Sequence, residues 1–294
     1  MNDLDAVAER FETHRARLRG VAFRMLGSVP EADDAVQEAW LRLARADLDE
    51  VHNLGGWLTT VVSRVCLDQL RSRAARREDL VGEHQPDDHP SAGPGDDPAA
   101  EALLVEDVGR ALLVVLDRLS PAERVAFVLH DMFAVPFGDI APVLDRSPAT
   151  TKKLASRARL RVRGTPTVGL ADLARHRRVV EAFLAASRAG DVDAVIAVLD
   201  PDVVRRADRA ALPAGRPLQA RGARTVAGEI VVFGGQARFA APALVDGVAG
   251  IVVAPNGQLQ LVLTVTVAGD KVTEYELVAD PARVARLELA VLPG

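Results

Sequence analysis

Between Glu83 and Pro98 the chain reads EHQPDDHPSAGPGDDP, with prolines at 86, 90, 94 and 98 and aspartate pairs at 87–88 and 96–97. Proline at every fourth position removes the donors that a helix or a central strand needs, and the paired acids repel. No regular element is expected to run through this stretch, which reads as an extended, flexible linker. The fold must therefore be assembled as separate bodies on either side of it. His84 and His89 stand beside Asp87 and Asp88, but a chain without a rigid frame cannot fix a metal's coordination geometry, so no metal is expected.

A chain of 294 residues has room for about two or three domains, and 49% apolar residues supply real cores. One cysteine, Cys66, excludes an intramolecular disulfide framework and fits a reducing, cytoplasmic setting. No apolar run reaches membrane-spanning length, and no signal peptide opens the chain. The net charge of −5 argues against indiscriminate nucleic-acid binding, so any DNA contact must come from a local basic surface.

Such a surface stands at SPATTKKLASRARLRVRG, Ser147 to Gly164. Ser147 can cap a helix, and Pro148 fits its first position, where no N–H is required. At 3.6 residues per turn Thr151, Leu154, Ala155, Ala158 and Val162 share one face, and Lys152, Lys153, Ser156, Arg157, Arg159 and Arg163 the other. Seven basic residues and no acidic one lie between Arg146 and Arg163. Alone, this is a solvated basic helix as readily as a DNA reader. Its upstream context favours the reader. Ser120–Pro121 with Glu123 starts a helix whose apolar face is Val125, Phe127, Val128, Leu129 and Met132, and Phe137 to Leu144 reads as a short helix despite Pro142. Asp145–Arg146 then turns the chain into the basic helix, which is helix-turn-helix order.

Before the linker three helices are expected. Phe11 to Leu26 buries Phe11, Leu18, Val21, Ala22 and Met25; Pro30 to about Ala46 buries Ala32, Val36, Ala39, Trp40 and Leu43. Asp33, Asp34, Gln37, Glu38 and Leu41 lie outward on the second, where acids near the start also suit the helix dipole. A loop over 47–55 leads to a third helix from Gly56, with Trp57, Val61, Val65 and Leu70 inward and Arg64, Arg71, Arg73, Arg76 and Arg77 along its basic half. Ala99 to Leu119 resumes helix after the linker. Past Gly164 the texture changes to helices at 170–188 and 191–199, then strand-like runs at 203–206, 238–244, 251–254, 259–267 and 272–278. Helices are also expected at 223–233 and 281–289, and Asn256–Gly257 is a hairpin signal. Helices followed by an antiparallel sheet make an α+β domain, and the weak alternation of LQLVLTVTV suggests a strand covered on both sides or facing a pocket.

DAVQEAWLRL, WLTTVVSRVCLDQLRSRAARRE and LSPAERVAFVLHDMF…FGDIAPVLDRSPATTKKLASRAR, in that order across a Pro-rich linker, resemble regions 2 and 4 of extracytoplasmic-function sigma factors of bacterial RNA polymerase. The last domain resembles the SnoaL-like, nuclear-transport-factor-2-like extension of one subgroup. The resemblance implies a multidomain chain: an all-α region 2 bundle at 1–82, the linker at 83–98, an all-α region 4 helix-turn-helix at 99–164 and an α+β SnoaL-like regulatory domain at 165–294. It implies that Asp33, Asp34, Gln37, Glu38 and Leu41 dock on the β′ clamp helices of core RNA polymerase, with the β flap as a further polymerase contact. Asn53, Arg64, Arg71 and Arg73 would hold the unpaired near promoter element. Thr150, Thr151, Lys152, Lys153, Ser156 and Arg157 would grip the far element as duplex. The C-terminal domain would contact and control the sigma domains, with no cofactor, no membrane and no catalysis. Three boxes depart from the subgroup: LVGEHQP lacks the usual tryptophan, Asp208 is followed by Arg209-Ala210-Ala211 instead of three glycines, and the Asn-Pro-Asp-like box reads Ala279-Asp280-Pro281.

Two other readings use the same residues. A one-component regulator would bind a small molecule in the α+β domain, though it has no reason to carry the first eighty residues. An enzyme would need a tuned acid or base, and His176, Glu274, Tyr275 and Glu276 are the few groups the extension offers.

Overall fold

The computed structural model describes residues 3–46, 53–80 and 108–293. The linker at 83–98 and most of the loop at 47–55 lie outside the described residues. The chain divides into two compact units, one of Met1–Val108 with Leu116–Leu160, the other of Gly109–Val115 with Arg161–Gly294.

The first unit is helical. Helix α1 spans Asp3–Leu26, α2 Val29–Leu43 and α3 Leu54–Leu80. Gly27, at φ +75°, ends α1 in the left-handed conformation, and Ser28 caps α2 through the Glu31 N–H. The three helices pack on one another over Phe11, Leu18, Val21, Met25, Ala32, Val36, Ala39, Leu43, Leu58 and Val62, all buried. Each large side chain buried there contributes about 1.5–3 kcal/mol. Two expected core positions differ. Trp40 is half-buried, its ring tilted against Phe11 at 5.1 Å. Trp57 is also half-buried, and the neighbouring Leu58 fills the core instead.

Helix α4 covers Arg110–Asp117, α5 Pro121–Phe127, α6 Phe137–Leu144 and α7 Pro148–Arg163. The Glu123 carboxylate accepts from the Ser120 N–H at 3.2 Å, as the capping box requires. Beyond Phe127 the helix loosens into a π-turn over Val128–Met132, which the sequence pattern does not announce. Helix α5 packs on α3 through Val125, and α6 does so through Ile140 and Leu144. Pro142 is tolerated inside the two-turn α6, where its own carbonyl accepts from Arg64 Nη2 at 3.3 Å.

The second unit is α+β. Helices α8 (Leu170–Ala189) and α9 (Val192–Val198) lead into strand β1 (Leu199–Ala207) and the short β2 (Gln219–Arg221). Helix α10 (Ala223–Phe233) precedes β3 (Ala240–Val245), β4 (Val248–Val253), β5 (Leu261–Ala268) and β6 (Lys271–Val278). The expected closing helix is cut to one turn, α11 (Pro281–Val284), and Leu289–Ala290 form a strand, β7. Ladder order is β2-β1-β6-β5-β4-β3-β7. The sheet is not wholly antiparallel as expected: β1 runs parallel to β6, because α10 and four further strands intervene between them. Asp246 (φ +48°) and Gly247 (φ +80°) make the tight β3–β4 hairpin, a conformation that suits glycine. Asn256–Gly257 does turn the chain between β4 and β5, inside a longer connection. Leu173, Val180, Phe183 and Leu184 of α8 and Val226 of α10 pack with Leu244, Ile251 and Leu263 of the sheet.

The last turn of α7 counts with the second unit for a local reason. The Val291 N–H donates to the Val162 carbonyl at 2.8 Å, and left-handed Gly164 leaves no room for a Cβ beside Ala290.

Candidate nucleic-acid interface

The turn into α7 is built by short-range chemistry. His130 stacks on Phe137 at 3.8 Å and its Nδ1 lies 3.1 Å from the Val135 carbonyl, which fixes the start of α6. Asp145, at φ +54°, reverses the chain, and the Arg146 N–H returns to the Ala141 carbonyl at 3.1 Å. Ser147 Oγ then accepts from the Thr150 N–H at 3.2 Å and lies 2.9 Å from the Thr150 hydroxyl. Helix α7 buries Ala155, Ala158 and Val162 and exposes Lys152, Lys153, Ser156 and Arg157. No carboxylate among the described residues pairs with Lys152, Lys153 or Arg157. Arg159 differs, since Asp131 holds it at 2.5 Å. Thr151 also differs from its expected role. It is wholly buried, with its hydroxyl on the Ser147 carbonyl at 3.1 Å, because it shares the apolar face with Ala155 and Ala158. Thr150 is half-buried at the helix start.

Helix α3 carries the second basic surface. Asn53 is exposed and caps it, Oδ1 accepting from the Gly56 N–H at 3.0 Å. Arg64 and Arg71 are exposed; Arg71 lies 3.9 Å from Asp68. Arg73 is a correction: it is half-buried, donates to the Leu26 carbonyl at 3.0 Å and pairs with Glu31, so it ties α3 to α2. In its place the structure offers groups that spacing did not single out. Trp57 and Thr60 border a cleft of about 680 Å³ with His14, Arg17, Asn53 and Phe133. The half-exposed indole is suited to stacking a base. Its only advance signal was an aromatic beside a capped helix start.

The acidic face of α2 is exposed as its pattern requires. Asp33, Asp34, Gln37 and Leu41 face solvent; Glu38 is half-buried beside Arg42 at 2.8 Å, and Asp33 pairs with Arg19 at 2.6 Å.

Residues 10–76 match sigma-70 region 2, and residues 109–162 match sigma-70, region 4. The chain is 47% identical to ECF RNA polymerase sigma factor SigJ of Mycobacterium tuberculosis over 200 residues, 67% of this chain and 64% of SigJ. It is 40% identical to the probable ECF RNA polymerase sigma factor SigI of the same species over 211 residues, 71% of this chain and 72% of SigI. The chain belongs to the extracytoplasmic-function sigma factors. The crystal structure of M. tuberculosis SigJ aligns over 95% of this chain and 98% of its own, at 34% identity and a TM-score of 0.46. The SigJ sequence match spans just under two thirds of that protein's length.

Within this sigma factor the altered boxes of the C-terminal unit meet at one carboxylate. Asp208 Oδ1 accepts from the Ala211 N–H at 2.9 Å; Oδ2 accepts from the Ala279 and Asp280 N–H groups at 2.9 and 2.8 Å. Arg283 lies 3.7 Å from it. The turn lacking glycines and the box lacking asparagine are thus joined directly. Of the groups weighed for catalysis, Glu274 pairs with Arg206 and Glu276 with Arg283. Among the described residues no cluster of His, Cys, Asp or Glu is arranged to hold a metal, and His84 and His89 lie outside them. No helix among the described residues is long and apolar enough to cross a membrane.

Proposed function

We propose that this chain directs core RNA polymerase to promoters by holding two promoter elements at once, and that it breaks no bond itself. The observation that carries the reading is the exposed set Lys152, Lys153 and Arg157 at the start of α7, unpaired among the described residues and directly after a helix-turn-helix turn. Cations left without internal partners are those that gain most from phosphates, through counterion release. Ser156 beside them reaches base edges, while the lysines set register.

Asn53, Trp57, Arg64 and Arg71 take the unpaired near element. Flipped bases cost a few kcal/mol, which stacking and cationic contacts offset. The outer face of α2, with Asp34, Gln37 and Leu41, docks on the β′ clamp helices, and the β flap receives the region 4 side. Residues 165–294 modulate these activities. In the described unit Arg64 donates to the Pro142 carbonyl. DNA engagement at Arg64 requires that bond to be given up.

The test is promoter-dependent run-off transcription with purified core polymerase. Initiation is expected with the whole chain and not with core alone. Lys152→Ala with Lys153→Ala should lower initiation and reduce the salt slope of promoter binding by about two, one per phosphate contact. Asp34→Arg with Leu41→Ala should weaken holoenzyme formation on a sizing column. A chain that never forms an initiating holoenzyme on any template sinks the reading.

A further inference from the structure

Inside the C-terminal unit, between α8, α10 and the sheet, lies a cavity of about 340 Å³. Phe183, Leu184, Ile230, Ile251, Val253 and Leu263 make most of its wall. It is lined mostly by apolar side chains and opens to solvent on one side, so a small molecule can enter it. Its volume sits at the lower end of the range that encloses small ligands, about 300–1,000 Å³.

The polar side chains of the wall are Ser187, Arg205, Glu229 and Tyr275, with the exposed Arg216 and Gln236. Arg205 is buried with its charge spent. Glu229 accepts from its Nε at 3.1 Å and from Nη2 at 2.8 Å, and the Pro217 carbonyl accepts from Nη1 at 3.0 Å. Ser187 donates to the Phe183 carbonyl at 2.7 Å. Tyr275 is different. It is 4% exposed, its ring rests on Phe183 at 5.5 Å, and no group among the described residues bonds its hydroxyl. Burial pushes that hydroxyl above its ordinary range, so it stays a neutral donor at physiological pH. The hydroxyl has no protein partner among the described residues and opens on the apolar cavity, so it is free to donate to a ligand oxygen within reach.

We propose that the C-terminal unit binds a neutral, largely apolar small molecule bearing one carbonyl or hydroxyl oxygen, with Tyr275 as its hydrogen-bond anchor. The apolar wall takes the body of the ligand. Inside the wall Arg205 offers an anion no unmatched charge, since Glu229 holds it, and the wall's other cation, Arg216, is exposed. Leu212, Pro213 and Arg216 border the cavity from the turn after β1. This inference stands apart from the promoter reading, since every wall residue belongs to the second unit.

The experiment uses the full chain and a neutral fluorescent naphthyl ketone, 6-propionyl-2-dimethylaminonaphthalene, titrated by emission shift. Saturable one-to-one binding is expected, with displacement by 2-acetonaphthone. 2-Naphthoate, of similar shape but anionic, should compete at least about tenfold less well. Tyr275→Phe should weaken ketone binding about fivefold, the worth of one neutral hydrogen bond. Ala211→Trp, which fills the cavity from the turn, should abolish it. Circular dichroism and melting of each variant check that the unit stays folded; if Ala211→Trp does not fold, Tyr275→Phe decides alone. Three results overturn the proposal: no saturable binding, binding that Tyr275→Phe leaves unchanged, or naphthoate competing as well as the ketone.

Discussion

Arg205 and Glu229 form the most deeply buried ion pair in the C-terminal unit, the guanidinium side chain only 2% exposed. Breaking such a pair strands a charge, whereas replacing both partners by apolar groups removes the need for either. Glu229→Ala should therefore destabilise the unit by about 3–5 kcal/mol, and Arg205→Met with Glu229→Leu by much less. Urea denaturation of the two variants checks the order; equal losses would contradict it. Cys66 makes a different prediction. It is fully buried on α3, and burial pushes its thiol up to about 12. The unfolded thiol titrates near ~8.5, so the folded state holds its proton longer. The resulting stabilisation is whole below that pH and drains as pH rises toward the folded value, at about 1.4 kcal/mol per unit. Chemical denaturation at pH 8, 9 and 10 should show the decline, and Cys66→Ala should remove this component.

The proposed DNA contact of helix α7 rests on its first turn. The Ser147 cap satisfies the Thr150 N–H, so Ser147→Ala should cost about 1 kcal/mol and loosen the turn that presents Lys152 and Lys153. Thermal melting reads the first effect, and promoter binding at fixed salt reads the second. The same helix explains why Thr151 does not face DNA. Three residues before Leu154 and four before Ala155, it falls on the buried stripe, and its hydroxyl is absorbed by the Ser147 carbonyl. Helix α3 is the mirror case. Its arginines look alike in sequence, but Arg73 is drawn inward by the Leu26 carbonyl and Glu31, while Arg64 and Arg71 remain exposed.

For the whole chain, the proposed reading gives the two sigma modules and residues 165–294 separable tasks. Truncation after Gly164 should change promoter-dependent transcription measured with purified core polymerase and several reporter promoters. The cut also removes Val291, whose N–H satisfies the Val162 carbonyl at the end of α7. A full-length Val291→Pro variant, which removes only that N–H, should therefore be melted and transcribed alongside, so that fraying of the last turn is read separately from loss of regulation. Unchanged transcription on every promoter would exclude a regulatory role for residues 165–294.

Local patterns carried much of this protein into view before any coordinates. Helical periodicity marked α1, α2, α6, α7, α8 and α10, and the caps at Ser120 and Ser147 marked helix starts, because such signals act within four residues. The family was legible for the same reason, as two modules whose faces are written in contiguous stretches. What required the folded chain involves partners far apart in sequence: the parallel pairing of β1 with β6, the strand at Leu289–Ala290, the inward pull on Arg73 by residues of α1 and α2, and the meeting of Asp208 with Ala279. The cavity belongs with these. Its wall draws on α8, α10 and five strands, and a cavity arises only from how side chains far apart in the chain fail to fill the space between them, which no periodicity along the chain can express.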